Sequence, residues 1–548
     1  MFGFTRKLAR YFTEERDIPP SVAYMLLLVI ICFGVFVRFQ GLFDVGLIYP
    51  DNFIFFRWAY DWSVGNIYTQ STYRVACPLM GALAIKIFGP NDYALQAFHC
   101  CLGVINIVLV FSLARLLTGS NYIALFASLI QGLSRRVVEF DRFEATSTLT
   151  EFFFLLSMFF FVKAYHRHKG QVHPNINPNV HLLVSGFFLS LSAHTHWDVL
   201  AHLFTLNLFL ILFALANKNK FSEYVKDGLC FNLAFVLPIA LGMAFFGPKE
   251  VIREILFGKY ILEVLQIHNL QKAPVFDVLI LVYKRVVYGP VGSSFVGILY
   301  LLTLSLIIMT AIKYIRKKAD IDVRRFLLIS LPFALSANYI LALTILRINI
   351  EFRQALHFSP LLVISVMFTL YEFSNIPTKA LFSRRFSIFV IAVIVILQVD
   401  PAESFTRRFC TVSPHKIIGE SLRGRLDCNN RLLITPYVVP DTRYQTMTPP
   451  CYVQKEYVDH VFEYTDDAPF ENQLRQHAIR FIAIEKSLAD PRLSAEVGFR
   501  DVLGKVYGIS HGDYTVHKEY MILTEYLRKH PSSIVYKSDM IEIYELKK

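Results

Sequence analysis

A succession of apolar runs through the first 400 residues constrains this chain more than any other feature. Folded as an α-helix at 1.5 Å per residue, a run of about 20 such residues crosses the roughly 30 Å hydrocarbon core of a bilayer. Lipid offers the backbone no hydrogen bonds, so a spanning segment must satisfy its own as a helix or join a closed barrel. Spans are predicted at 21–39, 93–117, 122–135, 148–164, 180–195, 197–216, 229–247, 293–312, 326–346, 355–372 and 386–399. That makes about eleven crossings. The first run follows Arg6, Lys7, Arg10 and Arg16, as in a signal sequence. It has no small-residue cleavage site and many spans follow, so it is read as a retained first helix.

Composition agrees. The chain is 54% hydrophobic and 18% charged, a shift toward lipid from soluble domains at roughly 45–50% and 25%. The net charge of +12 raises the question of nucleic acid. Its Lys and Arg residues, however, lie in short clusters between apolar runs rather than in one stripe, so no nucleic-acid partner is expected. With the N-terminus in the cytoplasm, the cytoplasmic connections carry Lys163, Arg167 and Lys169, then Lys218, Lys220 and Lys226. They continue with Lys313, Arg316, Lys317, Lys318, Arg324 and Arg325, then Lys379, Arg384 and Arg385. The tight turn near Gly119 is the exception to this positive-inside pattern. An odd number of spans places everything after residue 400 outside, in a prokaryotic plasma membrane or the endoplasmic reticulum.

Three outer segments are more than turns. Gly41 to Asp92 holds Asp51, Asp61 and an apolar stretch, Pro78 to Gly89, too short to span and read as a re-entrant or interfacial helix. Arg135 to Ser147 is dense in charge. Pro248 to Pro290 has the spacing of amphipathic helices on the outer surface. Beyond residue 400, short β-like runs (Arg431 to Ile434, Phe481 to Ile484, Ile541 to Leu546) alternate with polar helical stretches and proline turns. The expected organisation is a membrane domain over 1–400 and an extracytoplasmic α/β domain over 401–548. The eight cysteines show no metal spacing. In an oxidising compartment, two of Cys410, Cys428 and Cys451 can pair, and the sequence does not say which.

The first outer segment reads Tyr49-Pro50-Asp51-Asn52, then Phe55, Ala59, Tyr60, Gly65, Tyr68, Arg74, Pro78-Leu79 and Lys86-Ile87-Phe88-Gly89. This order resembles the first outer loop of the GT-C glycosyltransferases, especially the protein O-mannosyltransferase and lipid A aminoarabinose transferase branch. There an acidic residue soon after the first helix is followed by an aromatic-rich helix, a Gly-Tyr element and a Pro-Leu re-entrant helix ending in Phe-Gly. The resemblance covers roughly residues 20 to 165 and is looser from there to 400. It implies a GT-C-like bundle that moves a sugar from a polyprenyl- or dolichyl-phosphate carrier to a hydroxyl-bearing protein, glycan or lipid on the outer face. Inversion at the anomeric centre is implied as well. Asp51 then corresponds to the catalytic acid of the loop. The family's second acidic position holds Asn52, a departure that questions any two-carboxylate requirement there.

The chemistry asks for such a carboxylate, because an acceptor hydroxyl needs a base as its new C–O bond forms. By itself Asp51 is equally suited to cap a helix beginning near Asn52. Glu139 and Asp141 form an acidic-x-acidic pair, and oligosaccharyltransferase-like members of the superfamily place a similar pair around a divalent metal. Two such carboxylates can hold Mg or Mn near a donor phosphate, or be neutralised by Arg135, Arg136 and Arg142 in a surface network. His194 and His196, with Asp198, lie at the end of a span where metal or phosphate binding competes with plain hydrogen bonding. Arg347 and Arg353 resemble the arginine-bearing element that binds the carrier phosphate in the aminoarabinose transferases, and their alternative is snorkelling to headgroups. Lys259 and Lys284 are secondary candidates for the phosphate.

A transporter or flippase of a lipid-linked or anionic substrate would also carry these spans. It would need charges deep in the bundle, where Glu151 and His202 are the exceptions to charges at helix ends. A non-catalytic receptor would tolerate any change at Asp51. No phosphate-binding glycine loop or Gly-x-Ser-x-Gly element is present, so ATP hydrolysis and serine-hydrolase chemistry are unsupported.

Overall fold

The computed structural model describes residues 17–46, 50–67, 75–143, 146–165, 178–196, 199–217, 221–247, 274–283, 300–301, 308, 323–345, 357, 360–361, 363–366, 414–434, 457–460, 469–485, 523–538 and 541–547. It forms two compact units: Met1–Gln40, Gln70–Cys77 and His99–Asp400 in one, and Gly41–Thr69, Pro78–Phe98 and Pro401–Lys548 in the other.

The helices of the first four hundred residues are α1 (Pro20–Phe39), α2 (Leu42–Val45), α3 (Pro50–Ser63), α4 (Ala76–Phe88), α5 (Ala94–Thr118), α6 (Asn121–Leu133), α7 (Arg135–Phe143) and α8 (Ser147–Tyr165). They continue with α9 (Pro178–Thr195), α10 (Leu200–Asn217), α11 (Phe221–Phe246), α12 (Val275–Tyr283) and α13 (Val323–Ile345). Five helices are long and apolar enough to cross a membrane among the described residues: Pro20–Asp44, Ala94–Thr118, Ser147–Tyr165, Val225–Phe245 and Phe326–Ile345. Eight predicted spans coincide with α1, α5, α6 and α8 to α11, and with α13. Those at 293–312, 355–372 and 386–399 lie wholly or mostly outside the described residues.

Helix α1 shows why lipid is the solvent. Ala23, Leu27, Ile30, Gly34 and Arg38 form a buried stripe at helical spacing. The opposite face shows Met25, Leu28, Val29, Phe33 and Phe36 to the exterior, an apolar surface that water would penalise at roughly 25 cal/mol per Å². On α11, Leu229, Leu233, Val236, Leu237 and Leu241 do the same. Helix α4 has 13 residues and reaches about 20 Å, short of a crossing, as expected for Pro78 to Gly89.

Within the first unit α9 packs along both α8 and α11, α10 along α13, and α1 along α6. Small and polar residues set these contacts, as they do in membrane bundles. Ser157 and Ser185 hydroxyls meet at 3.2 Å between α8 and α9. Asn207 and Asn232 exchange amide hydrogen bonds at 3.1 and 2.7 Å between α10 and α11. The start of α6 is capped by Ser120 and by Asp17, whose carboxylate accepts from the Asn121 and Tyr122 amides. That carboxylate satisfies N–H groups that no helix can pair internally.

In the second unit α14 (Pro414–Ser421) and α15 (Phe470–Gln476) accompany β1 (Arg431–Ile434), β2 (Val458–His460), β3 (Ile479–Glu485), β4 (Ser532–Lys537) and β5 (Ile541–Leu546). The sheet order is β2-β1-β3-β5-β4. Strands β2, β1 and β3 are parallel, and β5 runs antiparallel to both β3 and β4. Alternation gives the sheet two apolar faces. Leu432, Ile434, Phe481 and Ala483 join Ile418 and Leu422 on one; Leu433, Ile482 and Ile484 join Leu474 and Leu523 on the other. Strands β2 and β4 went unpredicted, the first being only three residues long and the second opening on two serines and closing on a lysine. Cys428 carries a free thiol, while Cys410 and Cys451 lie outside the described residues.

Candidate functional site

Asp51 is the second residue of α3. The helix begins at Pro50, a residue suited to a first helical position because it lacks the N–H that would go unpaired there. Asp51 therefore lies within the first turn rather than at the capping position the sequence left open. Phe56 and Ala59 form the buried side of α3, flanked by Phe55 and Trp58, whose rings meet edge to face at 5.4 Å. The helix α4 approaches so closely that a Cβ added at Gly81 would lie 2.6 Å from the Ala59 Cβ. Upstream, α2 is bounded by Gly41 and Gly46 at φ 63° and 78°, a conformation that costs glycine nothing. The Gln96 amide donates to the Gly46 carbonyl at 2.7 Å and fixes the end of that turn.

In the first unit, Glu139 and Asp141 lie on α7. Asp141 is buried, and its partner is not one of the neighbouring arginines. Arg38, at the end of the buried stripe of α1, donates from Nε to Asp141 Oδ2 at 2.8 Å. The Thr148 hydroxyl of α8 donates to the other carboxylate oxygen at 2.7 Å. Burial pushes the Asp141 carboxyl above the ordinary range, and the Arg38 charge and the Thr148 hydrogen bond oppose that push. Arg38 also donates to the Gly34, Gln131 and Gly132 carbonyls. Gln131 in turn donates to Glu151 at 2.6 Å. A Cβ at Gly103 would fall on the ion pair itself, so this glycine is required for close approach. Arg142 donates to the Val37, Arg38 and Gln40 carbonyls and so closes the C-terminus of α1, where a cation complements the helix dipole.

These contacts decide what α7 offers chemically. Both oxygens of Asp141 are occupied by protein donors, and Glu139 is half-buried. His194 is buried at the end of α9, and His196 follows the helix, half-buried. Among the described residues no three His, Cys, Asp or Glu side chains gather as a metal site. Of the four residues expected to hold a cation, Asp141 is engaged by Arg38 and Thr148. Arg347, Arg353, Lys259 and Lys284 lie outside the described residues.

Two features escaped the sequence. Arg38 was the one strong charge at the end of an otherwise apolar span, a signal open to use. The ring nitrogens of His202 and His357 meet at 2.9 Å, both residues buried. Phe154 and Tyr339 pack on the His202 ring. No local spacing announces a pair separated by more than 150 residues.

Residues 81–250 match the family model described as dolichyl-phosphate-mannose-protein mannosyltransferase. A stretch of 88 residues is 38% identical to an uncharacterized protein of Aquifex aeolicus, covering 16% of this chain and only 18% of that relative. Among solved structures, ArnT from Cupriavidus metallidurans in its apo state aligns with a TM-score of 0.52 at 12% identity, over 95% of this chain and 98% of that one. The Archaeoglobus fulgidus oligosaccharyltransferase, solved with Zn and sulfate, aligns at 0.50 and 11% identity over 86% and 69%. At such identities the likeness is one of fold. Over residues 81–250 the chain is thus similar to a dolichyl-phosphate-mannose-protein mannosyltransferase domain, and its fold is like that of ArnT and of the oligosaccharyltransferase.

Proposed function

We propose that this chain is a GT-C-type glycosyltransferase that takes a sugar from a polyprenyl- or dolichyl-phosphate carrier and passes it to a hydroxyl of a protein, glycan or lipid on the outer or luminal face. The observation that carries this reading is the mannosyltransferase match over residues 81–250, which begins within α4, the helix whose Gly81 packs against Ala59 of α3. Asp51 is the general base. It accepts the acceptor's proton as the hydroxyl oxygen bonds to the anomeric carbon, while the bond from that carbon to the carrier phosphate breaks and its electron pair leaves with the phosphate. Arg347 and Arg353, assisted by Lys259, balance the charge growing on that leaving group. Displacement from the opposite face inverts the anomeric centre. Glu139 orients the acceptor, and Asp141 holds α7 in place through Arg38.

The membrane part, 1–400, is read as about eleven spans with a cytoplasmic N-terminus, and 401–548 as an extracytoplasmic α/β domain that helps choose the acceptor. A transporter gains less support, since Arg38, Asp141 and Glu151, ionisable groups inside the bundle, are bound to protein partners.

The test compares wild type with Asp51→Asn in liposomes given radiolabelled polyprenyl-phosphate sugars and a crude acceptor extract. Loss of transfer in a folded Asp51→Asn protein supports the assignment. Undiminished transfer moves the base elsewhere, and labelled lipid crossing the bilayer without transfer favours the transporter.

A further inference from the structure

The turn that leads to Asp51 is held from the far end of the chain. Helix α14 buries Ile418, with Leu422 just beyond its end, in the core under the sheet. Lys416, two residues before Ile418, is on about the opposite side of a helix that turns roughly 100° per residue. Its ammonium donates to the Phe43 carbonyl of α2 at 2.7 Å and lies 3.3 Å from the Asp92 carboxylate, the two side chains only 13% and 10% exposed. Around this grip, the Phe43 ring meets Tyr93 edge to face at 5.0 Å. The Asn91 amide donates both to the Phe88 carbonyl and to the Tyr93 hydroxyl. A lysine on the sheet-packed helix, a carboxylate just before α5 and a carbonyl of the Gly41–Gly46 turn thus meet at one point.

We propose that Lys416 is a positioning residue, coupling helix α14 and the sheet it packs on to the Gly41–Gly46 turn, which precedes α3 and Asp51 in the chain. Its catalytic consequence rests on the transferase reading above; the mechanical coupling does not. A compact ammonium with three donors suits a site offering one carbonyl and one carboxylate. Little water reaches the pair, so its loss is not made good by solvent.

Amide hydrogen exchange on the full-length protein in liposomes tests the coupling, and transfer from radiolabelled dolichyl-phosphate mannose tests its consequence. Lys416→Met keeps the apolar stem and removes the charge, Lys416→Arg keeps the charge, and Lys529→Met, an exposed lysine elsewhere, is the control. The expected result is exchange over 41–63 faster by about tenfold or more in Lys416→Met, the scale of losing one charged hydrogen bond, with β1, β3 and β5 unchanged. Lys416→Arg and Lys529→Met should exchange as wild type. Turnover should fall by about tenfold in Lys416→Met with donor KM nearly constant, since a misplaced base costs rate rather than binding, and Lys416→Arg should recover most of it. Wild-type exchange over 41–63 in Lys416→Met overturns the coupling, as does faster exchange spread equally through the strands. If exchange responds as expected and wild type transfers no sugar from any carrier, the coupling stands and the transferase reading fails.

Discussion

Arg38 and Asp141, 103 residues apart in sequence, form a buried ion pair at 2.8 Å with side chains 0% and 1% exposed. The guanidinium is satisfied in full by that carboxylate and the carbonyls of Gly34, Gln131 and Gly132. Helices α1, α6, α7 and α8 therefore converge on one fixed charge. Such a pair adds little over a well-packed apolar substitute, yet removal of one partner strands the other where neither water nor lipid can solvate it.

Arg38→Met or Asp141→Asn should each destabilise the protein by about 3–5 kcal/mol. The double variant Arg38→Met/Asp141→Leu should lose markedly less than the sum. Thermal unfolding of purified protein in one detergent compares the three. Single variants as stable as wild type would show that the charges are solvated in some other way.

Glycines of the bundle separate contact from propensity. A Cβ at Gly186 of α9 would collide with the Phe231 carbonyl of α11, whereas nothing stands within 4 Å of a Cβ at Gly228. Gly186→Ala should therefore cost about 1–3 kcal/mol as the helices are forced apart. Gly228→Ala should be neutral or stabilise by up to about 1 kcal/mol, as the backbone loses freedom in the unfolded chain. The same unfolding measurement reads both, and equal responses would contradict the close approach.

The amide pair between α10 and α11 makes a smaller claim. Asn207 and Asn232 satisfy each other, so Asn232→Leu should cost roughly 1 kcal/mol by leaving Asn207 with a missing partner. Asn207→Leu/Asn232→Leu should restore most of that loss. A double-variant cycle without coupling would remove the pair from the account of packing.

The legible part of this fold was the part governed by local pattern. Runs such as 21–39 and 93–117 declare helices because their length and apolarity serve only a bilayer, and Pro78 to Gly89 declared itself too short. Asp141 shows the limit. Spacing offered Arg135, Arg136 and Arg142 as partners because they are near in sequence, but α7 turns Asp141 inward to Arg38, while Arg142 closes α1. Lys416 shows it again, since nothing around Pro414 to Ser421 points to a carbonyl at Phe43. Strands β1, β3 and β5 announced themselves by apolar content; β2, with three residues on the sheet edge, carried too little pattern.

The carrier phosphate gives the last prediction. Arg347 and Arg353 are proposed to hold it by charge-assisted hydrogen bonds, which contribute roughly 1.5–3 kcal/mol each. Arg347→Gln and Arg353→Gln should thus raise donor KM by about tenfold or more apiece, within that range. Negative charge grows on the phosphate as the sugar leaves, so kcat should fall as well, and by more with a poorer leaving group. Lys259→Gln should act in the same direction and less strongly, because an ammonium cannot form the paired, planar contact of a guanidinium. Initial rates against dolichyl-phosphate mannose, with the acceptor saturating, separate the two constants. Unchanged kcat and donor KM in both arginine variants would move the phosphate site away from residues 347–353 and leave Asp51 as the sole anchor of the proposed chemistry.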